Sequence, residues 1–315
     1  MKIVVLDRSS LGNDTPLIGL ERFGEVVIYD KTTPEQLSAR VCDADVLVLN
    51  KVKITEDTFK AATSLKLICI FATGFDNVDL TAAVAHGVGV CNVPGYSTDS
   101  VALFTLATVL ALYTHLGEYN GYVISGKYTA SGVPNCLTPV YHEISGKTWG
   151  IIGLGNIGRA VAKVAEALGA RVIANKRTPV DDYECVDIDT LCREADIITI
   201  HCPLNDASRG LINEERIALM KKNVVIVNEA RGAVVDEHDI AEAIKKGTIG
   251  AFGSDVYSIE PFGKDHPFYE IKEYSNVLLT PHAAWGSYES RVRCINIICD
   301  NIAAFIEGER KNRVD

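Results

Sequence analysis

A chain of 315 residues is about twice the length of a typical single domain, so two domains, each with its own core, are expected. With 47% hydrophobic and 23% charged residues the composition is that of an ordinary folded, soluble protein, which excludes disorder, a collagen-like repeat and a supercharged tail. The formal charge of -10, from 31 Lys and Arg against 41 Asp and Glu, repels a phosphate backbone, and no basic block offsets it, so nucleic acid is not expected as a partner.

The nine cysteines are scattered and form no C-x-x-C pair, which points to neither a disulfide framework nor a metal site and favours a reducing compartment. The apolar run Met1 to Leu6 is followed at once by Asp7 and Arg8, too short for a secretory signal, so a cytoplasmic location is expected. The longest greasy stretch, Val101 to Tyr113, falls short of the roughly 20 residues that span a bilayer and reads as a buried helix, with no membrane partner.

In chain order, the first ninety-odd residues give short, β-branched apolar runs at Ile3 to Leu6, Val26 to Tyr29, Val46 to Leu49, Leu67 to Ala72 and Val88 to Val93. Near-continuous apolar runs are how parallel strands covered on both faces read. Thr33 to Val41 and Asp57 to Thr63 read as crossover helices, with Thr33 and Pro34 supplying a cap and a first turn. After an excursion from Gly117 to Gly146, rich in Gly, Tyr, Ser and Pro, a second series runs through Thr148 to Ile152, Arg171 to Ala174, Asp196 to His201, Asn223 to Val227, Gly250 to Ser254 and Val277 to Leu279. The Ala-rich Arg159 to Leu168 is helical and ends at Gly169, and the tail from Tyr288 to Gly308 has helical spacing with no strand after it. Both series are βαβ in kind, hence an α/β protein with two doubly wound domains.

The run Gly153-Leu154-Gly155-Asn156-Ile157-Gly158 places G-x-G-x-x-G after a strand and before a helix. Gly153 allows the tight turn, Gly155 lets backbone N–H groups approach a pyrophosphate, Gly158 lets helix and strand pack closely, and Asn156 and Ile157 open the helix whose N-terminus faces the anion. A dinucleotide is the expected ligand. At the end of the next strand an NAD enzyme usually carries an acidic residue for the ribose 2'-hydroxyl. Here Lys176, Arg177 and Thr178 stand instead, and no carboxylate occurs before Asp181, a set suited to a 2'-phosphate. NADP is therefore preferred, with NAD as the alternative.

Three ionisable residues lie near the ends of later strands: Arg231, Glu260 and His282. Strand C-termini face the ligand crevice of a doubly wound sheet, so the three can converge. Reducing a carbonyl needs a proton donor, which His282 supplies if a carboxylate, Glu260, supports its protonated form. A guanidinium fork, Arg231, can hold a 2-oxo acid by its carboxylate and polarise its carbonyl.

At these residues the sequence resembles the D-isomer-specific 2-hydroxyacid dehydrogenase family, and within it the glycerate dehydrogenase (hydroxypyruvate reductase) branch, over essentially the whole chain. Ala72-Thr73-Gly74-Phe75-Asp76-Asn77-Val78-Asp79 is similar to the family's substrate-carboxylate loop, and Asn92 to Thr98 to its crossing into the cofactor domain. The family's catalytic Arg, Glu and His fall on Arg231, Glu260 and His282. The ending Thr280-Pro281-His282-Ala283-Ala284-Trp285 is closest to the glycerate branch, where a Trp follows the His.

The resemblance implies a Rossmann dinucleotide-binding domain, residues 99–282, inserted into a flavodoxin-like substrate domain made of residues 1–98 and 283–315. It implies cofactor contacts at Cys202, Pro203, Ala230 and Asp255, the last to the nicotinamide carboxamide. It further implies substrate contacts at Thr73, Gly74, Phe75, Tyr96 and Arg231, and a homodimer formed through the cofactor domain. The implied reaction is NAD(P)H-dependent reduction of hydroxypyruvate, or glyoxylate, to the D-2-hydroxy acid. Lactate, a branched 2-oxo acid and, ranked last because Thr73 to Asp79 carries no cation, 3-phosphoglycerate are the substrates of rival readings within the family. A nicotinamide-sensing corepressor-like protein is the rival outside catalysis. Glu229 departs from the small or hydroxylated residue usual at its position.

Overall fold

The computed structural model describes all of residues 1–315, which divide into two compact units, Met1–Ser97 with Gly286–Asp315, and Thr98–Trp285. The first unit holds five parallel strands, β1 (Lys2–Val5), β2 (Glu25–Ile28), β3 (Val46–Leu49), β4 (Leu67–Ile70) and β5 (Gly89–Cys91), in the order β2-β1-β3-β4-β5. Every residue of the central β3 and β4 is buried, which is why they read as unbroken apolar runs, whereas the edge strand β2 is half-exposed.

The helices of this unit start at readable signals. In α1 (Pro34–Val41), Gln36 returns its side chain to the Thr33 N–H at 3.1 Å, closing a capping box, and Pro34 occupies the first turn. Then come α2 (Glu56–Ala61) and α3 (Leu80–Ala85), the latter capped by the Asp79 carboxylate on the Ala82 N–H at 2.9 Å. The C-terminal helix, Tyr288–Ile306, packs on β4 of the same unit.

The second unit opens with α4 (Thr98–Tyr113), α5 (Leu116–Ile124) and α6 (Lys127–Ser131). Next come β6 (Thr148–Ile152), α7 (Asn156–Ala167), β7 (Arg171–Asn175), β8 (Glu184–Cys185), α8 (Ile188–Glu194) and β9 (Ile197–Ile200). The unit closes with α9 (Glu214–Ile217), β10 (Val225–Asn228), α10 (Glu237–Lys246), β11 (Ala251–Ser254), α11 (Pro267–Ile271) and β12 (Val277–Leu279). The seven strands are parallel in the order β12-β11-β10-β9-β6-β7-β8, so strand order reverses beside β6, at the junction with β9. That is the Rossmann arrangement, and the reversal is where such sheets take ligands. Two cores cover the sheet: Ile198, Ile200, Ile226 and Phe252 on one face, and Trp149, Ile151, Val161, Val227 and residues of α4 on the other.

Three features differ from the sequence expectation. The excursion from Gly117 to Gly146 contains α5 and α6 despite its glycines, but neither helix buries a residue. An edge strand, β8, pairs with β7 over two residues, too short a run to show a period. The second boundary falls after Trp285 rather than after residue 282, because Ala283 and Ala284 donate their amides to the Asp255 carboxylate, and Ser100 Oγ donates to Ala284 O at 2.6 Å. No single helix is long and apolar enough to cross a membrane.

Candidate active site

The glycine-rich turn has a separate steric demand at each glycine. Gly153 has φ 93°, and a Cβ on it would lie 2.5 Å from Cys202 N, so β6 and the end of β9 approach at backbone contact. A Cβ on Gly158 would meet Gly153 O at 2.3 Å, so only glycine lets α7 start against the turn. A Cβ on Gly155 meets nothing within 4 Å: the space above the helix N-terminus is open, and Asn156 and Ile157 form its first turn. Open backbone amides at the positive end of a 12-residue helix fit a pyrophosphate.

At the end of β7, Lys176 is half-buried while Arg177 and Thr178 are exposed. The nearest paired carboxylate, Asp182, is engaged by Arg159 of α7, and this ion pair holds the Asp182 carboxyl below its ordinary range. Lys176 and Arg177 take part in no hydrogen bond or ion pair. This corner therefore presents two cations with no hydrogen-bonded partner, Lys176 also acting on Asp182 through its charge. Cys202, beside Pro203, has its thiol pushed up to about 11 by burial, so it is no nucleophile near neutrality.

His282 and Glu260 meet directly: His282 Nδ1 lies 2.6 Å from Glu260 Oε2, with the two side chains 27% and 29% exposed. The same carboxylate accepts the Tyr257 N–H at 3.0 Å through Oε1, which fixes its orientation. With Nδ1 on the carboxylate, His282 keeps Nε2 for a ligand. The ring is aimed by a left-handed backbone at His282, φ 53°.

The loop behind His282 hangs on Asp255, which is 1% exposed. Its Oδ1 accepts from Thr280 Oγ1 at 2.6 Å and Ala283 N at 2.8 Å, and its Oδ2 from Ala284 N at 2.8 Å. Asp255, expected at the nicotinamide carboxamide, thus spends its carboxylate on the loop that presents His282. The segment carrying Glu260 has its own anchor: Glu237 of α10 accepts from Ser258 N at 2.8 Å, and its Oε2 lies 2.9 Å from Nε2 of His266. Sequence reasoning passed over Glu237 and His266, whose one signal was a His-Pro step opening α11.

Arg231 follows β10 at the start of a short 3-10 turn, half-buried, with Nη1 on the neighbouring Ala230 O at 2.9 Å. Gly232 beside it approaches Tyr257 and Ser258 so closely that a Cβ would lie 2.0 Å from Tyr257 C, which brings the Arg231 turn against the loop leading to Glu260. Glu229, on the same turn, is 8% exposed: Oε1 takes a long 3.5 Å hydrogen bond from Thr108 of α4, and Oε2 has no partner. Burial, and then the nearby Asp255 charge, push its carboxyl up to about 9.

Of the expected substrate residues, Thr73, Gly74, Phe75 and Tyr96 lie in the first unit and Arg231 in the second. Thr73 Oγ1 donates to Val93 O at 2.8 Å, and Asn92 donates to Thr73 O at 2.8 Å, tying this loop to the segment after β5. Gly74 and Phe75 are half-exposed, while Tyr96 is buried, with its carbonyl accepting from Arg293 Nε at 3.0 Å.

Residues 106–284 match the family model of the D-isomer specific 2-hydroxyacid dehydrogenase, NAD binding domain. The chain belongs to that family. It is 37% identical to a hydroxypyruvate reductase of Blautia hydrogenotrophica, with 100% of both chains covered. It is also 36% identical to a glycerate dehydrogenase of Methylorubrum extorquens, over 100% of this chain and 99% of the relative. Among solved structures, an acyclic imino acid reductase in complex with NADPH and D-Arg superposes with a TM-score of 0.88 at 28% identity, covering 100% of both chains. As a member of the 2-hydroxyacid dehydrogenases, the protein is an oxidoreductase with an NAD(P)-binding domain, and Gly153, Gly155 and Gly158 stand inside the matched segment.

Proposed function

We propose that this dehydrogenase reduces a small 2-oxo acid, hydroxypyruvate first and glyoxylate second, to the D-2-hydroxy acid with NADPH or NADH. The observation that carries the chemistry is the His282–Glu260 pair at 2.6 Å, and the names of the relatives support the substrate class. When bound, the cofactor supplies a hydride to the carbonyl carbon. His282 Nε2 gives its proton to the oxygen as negative charge grows there, and Glu260 stabilises the imidazolium before transfer and sets its tautomer. Arg231 binds the substrate carboxylate and the polarised carbonyl, and Thr73, Gly74, Phe75 and Tyr96 are further substrate contacts in this reading. Gly153, Gly155, Asn156, Ile157 and Gly158 cradle the pyrophosphate, with Cys202, Pro203 and Ala230 along the cofactor. Following NADPH and NADH absorbance with a panel of 2-oxo acids tests the reading; turnover of none of them overturns it.

NADP is the preferred cofactor in this reading, supported by the cations Lys176 and Arg177, neither of them hydrogen-bonded, the hydroxyl of Thr178, and the commitment of Asp182 to Arg159. Replacing Lys176 and Arg177 together by Ala should raise KM for NADPH about tenfold, equivalent to roughly 1.4 kcal/mol, and leave KM for NADH nearly unchanged. Equal effects on both cofactors would remove the assignment.

The protein acts as a homodimer through the second unit. Support comes from a run of exposed apolar side chains on α5 and the segment after α6: Leu116, Ile124, Leu137 and Val140 are 61%, 76%, 74% and 71% exposed. Light scattering should give a dimer for the parent and a monomer for Leu137→Glu/Val140→Glu; a monomeric parent refutes it. The nine free cysteines favour a reducing, cytoplasmic compartment.

A further inference from the structure

Glu229 takes no part in the chemistry above, yet it occupies the middle of the candidate site. The second sheet runs in register: Ile152 is beside Ile200, Ile200 beside Asn228, Asn228 beside Ser254, and Ser254 beside Leu279. One residue further, that register sets Gly153, His201, Glu229, Asp255 and Thr280 in a single row. Backbone hydrogen bonds from His201 to Ile152, from Asp255 to Asn228 and from Thr280 to Ser254 carry the ladder through. Alternation puts the row on the α4 face, with Ile151 and Val227, and the Glu229–Thr108 contact agrees. Adjacent strands stand about 4.8 Å apart, so a ligand that starts over Gly155 and reaches His282 must cross the row near its centre.

The row is not satisfied by the protein. Glu229 Oε2 and both ring nitrogens of His201 are buried without a partner, while Asp255 is fully used by the His282 loop. Neighbouring buried polar atoms with nothing to pair with mark a place where a ligand supplies the missing groups. We infer that Glu229 is a positioning residue for the nicotinamide end of the cofactor, its carboxyl pairing with the carboxamide. The inference rests on the cofactor reading above.

The chemistry of the carboxyl suits that partner. Pushed up to about 9, Glu229 is neutral at pH 7 and offers one donor and one acceptor, the complement of a primary amide. Ionised, it would offer acceptors alone and stand beside a second carboxylate. The groups around it are Asp255 of β11, the Tyr257 hydroxyl beyond that strand, Thr108 of α4, Arg231 on its own turn, and His201 after β9. Burial pulls the His201 ring down to about 3, so it stays neutral and brings no opposing charge.

The test measures binding of NADPH, its 3-acetylpyridine analogue, which lacks the amide N–H, and ADP-ribose, which lacks the ring, by fluorescence and calorimetry from pH 7 to 10. The parent should bind NADPH more tightly than the analogue, and its affinity for NADPH should fall above pH 9, where the carboxylate no longer donates to the amide oxygen. Glu229→Gln, which keeps a donor and an acceptor, should bind NADPH like the parent at pH 7 and hold its affinity to pH 10. Glu229→Leu should bind NADPH about tenfold more weakly at pH 7, without preference over the analogue, while ADP-ribose affinity stays unchanged and shows that the variant is folded. A Leu variant that matches the parent on NADPH, or a parent affinity for NADPH that is flat to pH 10, overturns the inference. A parent that binds neither NADPH nor NADH overturns the cofactor reading itself.

Discussion

His282→Ala should lower kcat by roughly 10²–10⁴-fold and leave the dissociation constant of NADPH within about twofold. The magnitude follows from losing the one group with a free ring nitrogen at the carbonyl, the other nitrogen being held by Glu260 at 2.6 Å. Cofactor affinity should survive because the loop is fixed by the amides of Ala283 and Ala284 on Asp255, not by the imidazole. Glu260→Gln separates two roles of the carboxylate. The amide oxygen can still accept from Nδ1 and keep the ring in place, so the lost charge alone is read, as a smaller fall in kcat of roughly ten- to a hundredfold. Full activity in the His282 variant refutes the mechanism. An equal loss in binding and turnover would make His282 structural.

Much of this site was legible because its signals are local. The G-x-G-x-x-G turn carries its reason in steric terms that recur at each position, and Arg231, Glu260 and His282 each follow a strand whose apolar run is readable. That Glu260 and His282 meet needed the adjacency of β11 and β12, which βαβ alternation implies. What the sequence concealed is how those residues are held. Nothing adjacent to Asp255 announces that it accepts three hydrogen bonds from residues 25 to 29 positions away, and nothing near Ser258 points to Glu237. Pairings of that separation exist only after the sheet is assembled. The helical character of 116–131 was hidden for a different reason: α5 and α6 bury no residue, so no apolar stripe faces a core to set a period.

Glu229→Leu should raise the stability of the unliganded protein, by roughly 3 kcal/mol at pH 7, and the gain should grow with pH. In the unfolded chain the carboxyl titrates near 4.5, whereas in the folded protein it titrates at about 9. Below pH 4.5 both states keep the proton and its burial carries no ionisation cost. Between the two values the unfolded state releases the proton and the folded state does not, so the parent loses about 1.4 kcal/mol for each unit of pH. Above 9 both states are ionised and the loss is constant. The slope is the diagnostic part: urea titrations of parent and variant at pH 5, 7 and 9 should give a stability difference that widens steadily, and a calorimetric Tm that separates by about 2–4 °C for each kcal/mol. A difference that is flat across this range means that Glu229 is charged in the folded protein, and the hydrogen-bonding argument for a neutral carboxyl then fails with it. A widening difference means that the fold carries an acid it would be more stable without. Saturating NADPH should then narrow the gap, since a ligand that pairs with the acid stabilises the parent more than the Leu variant.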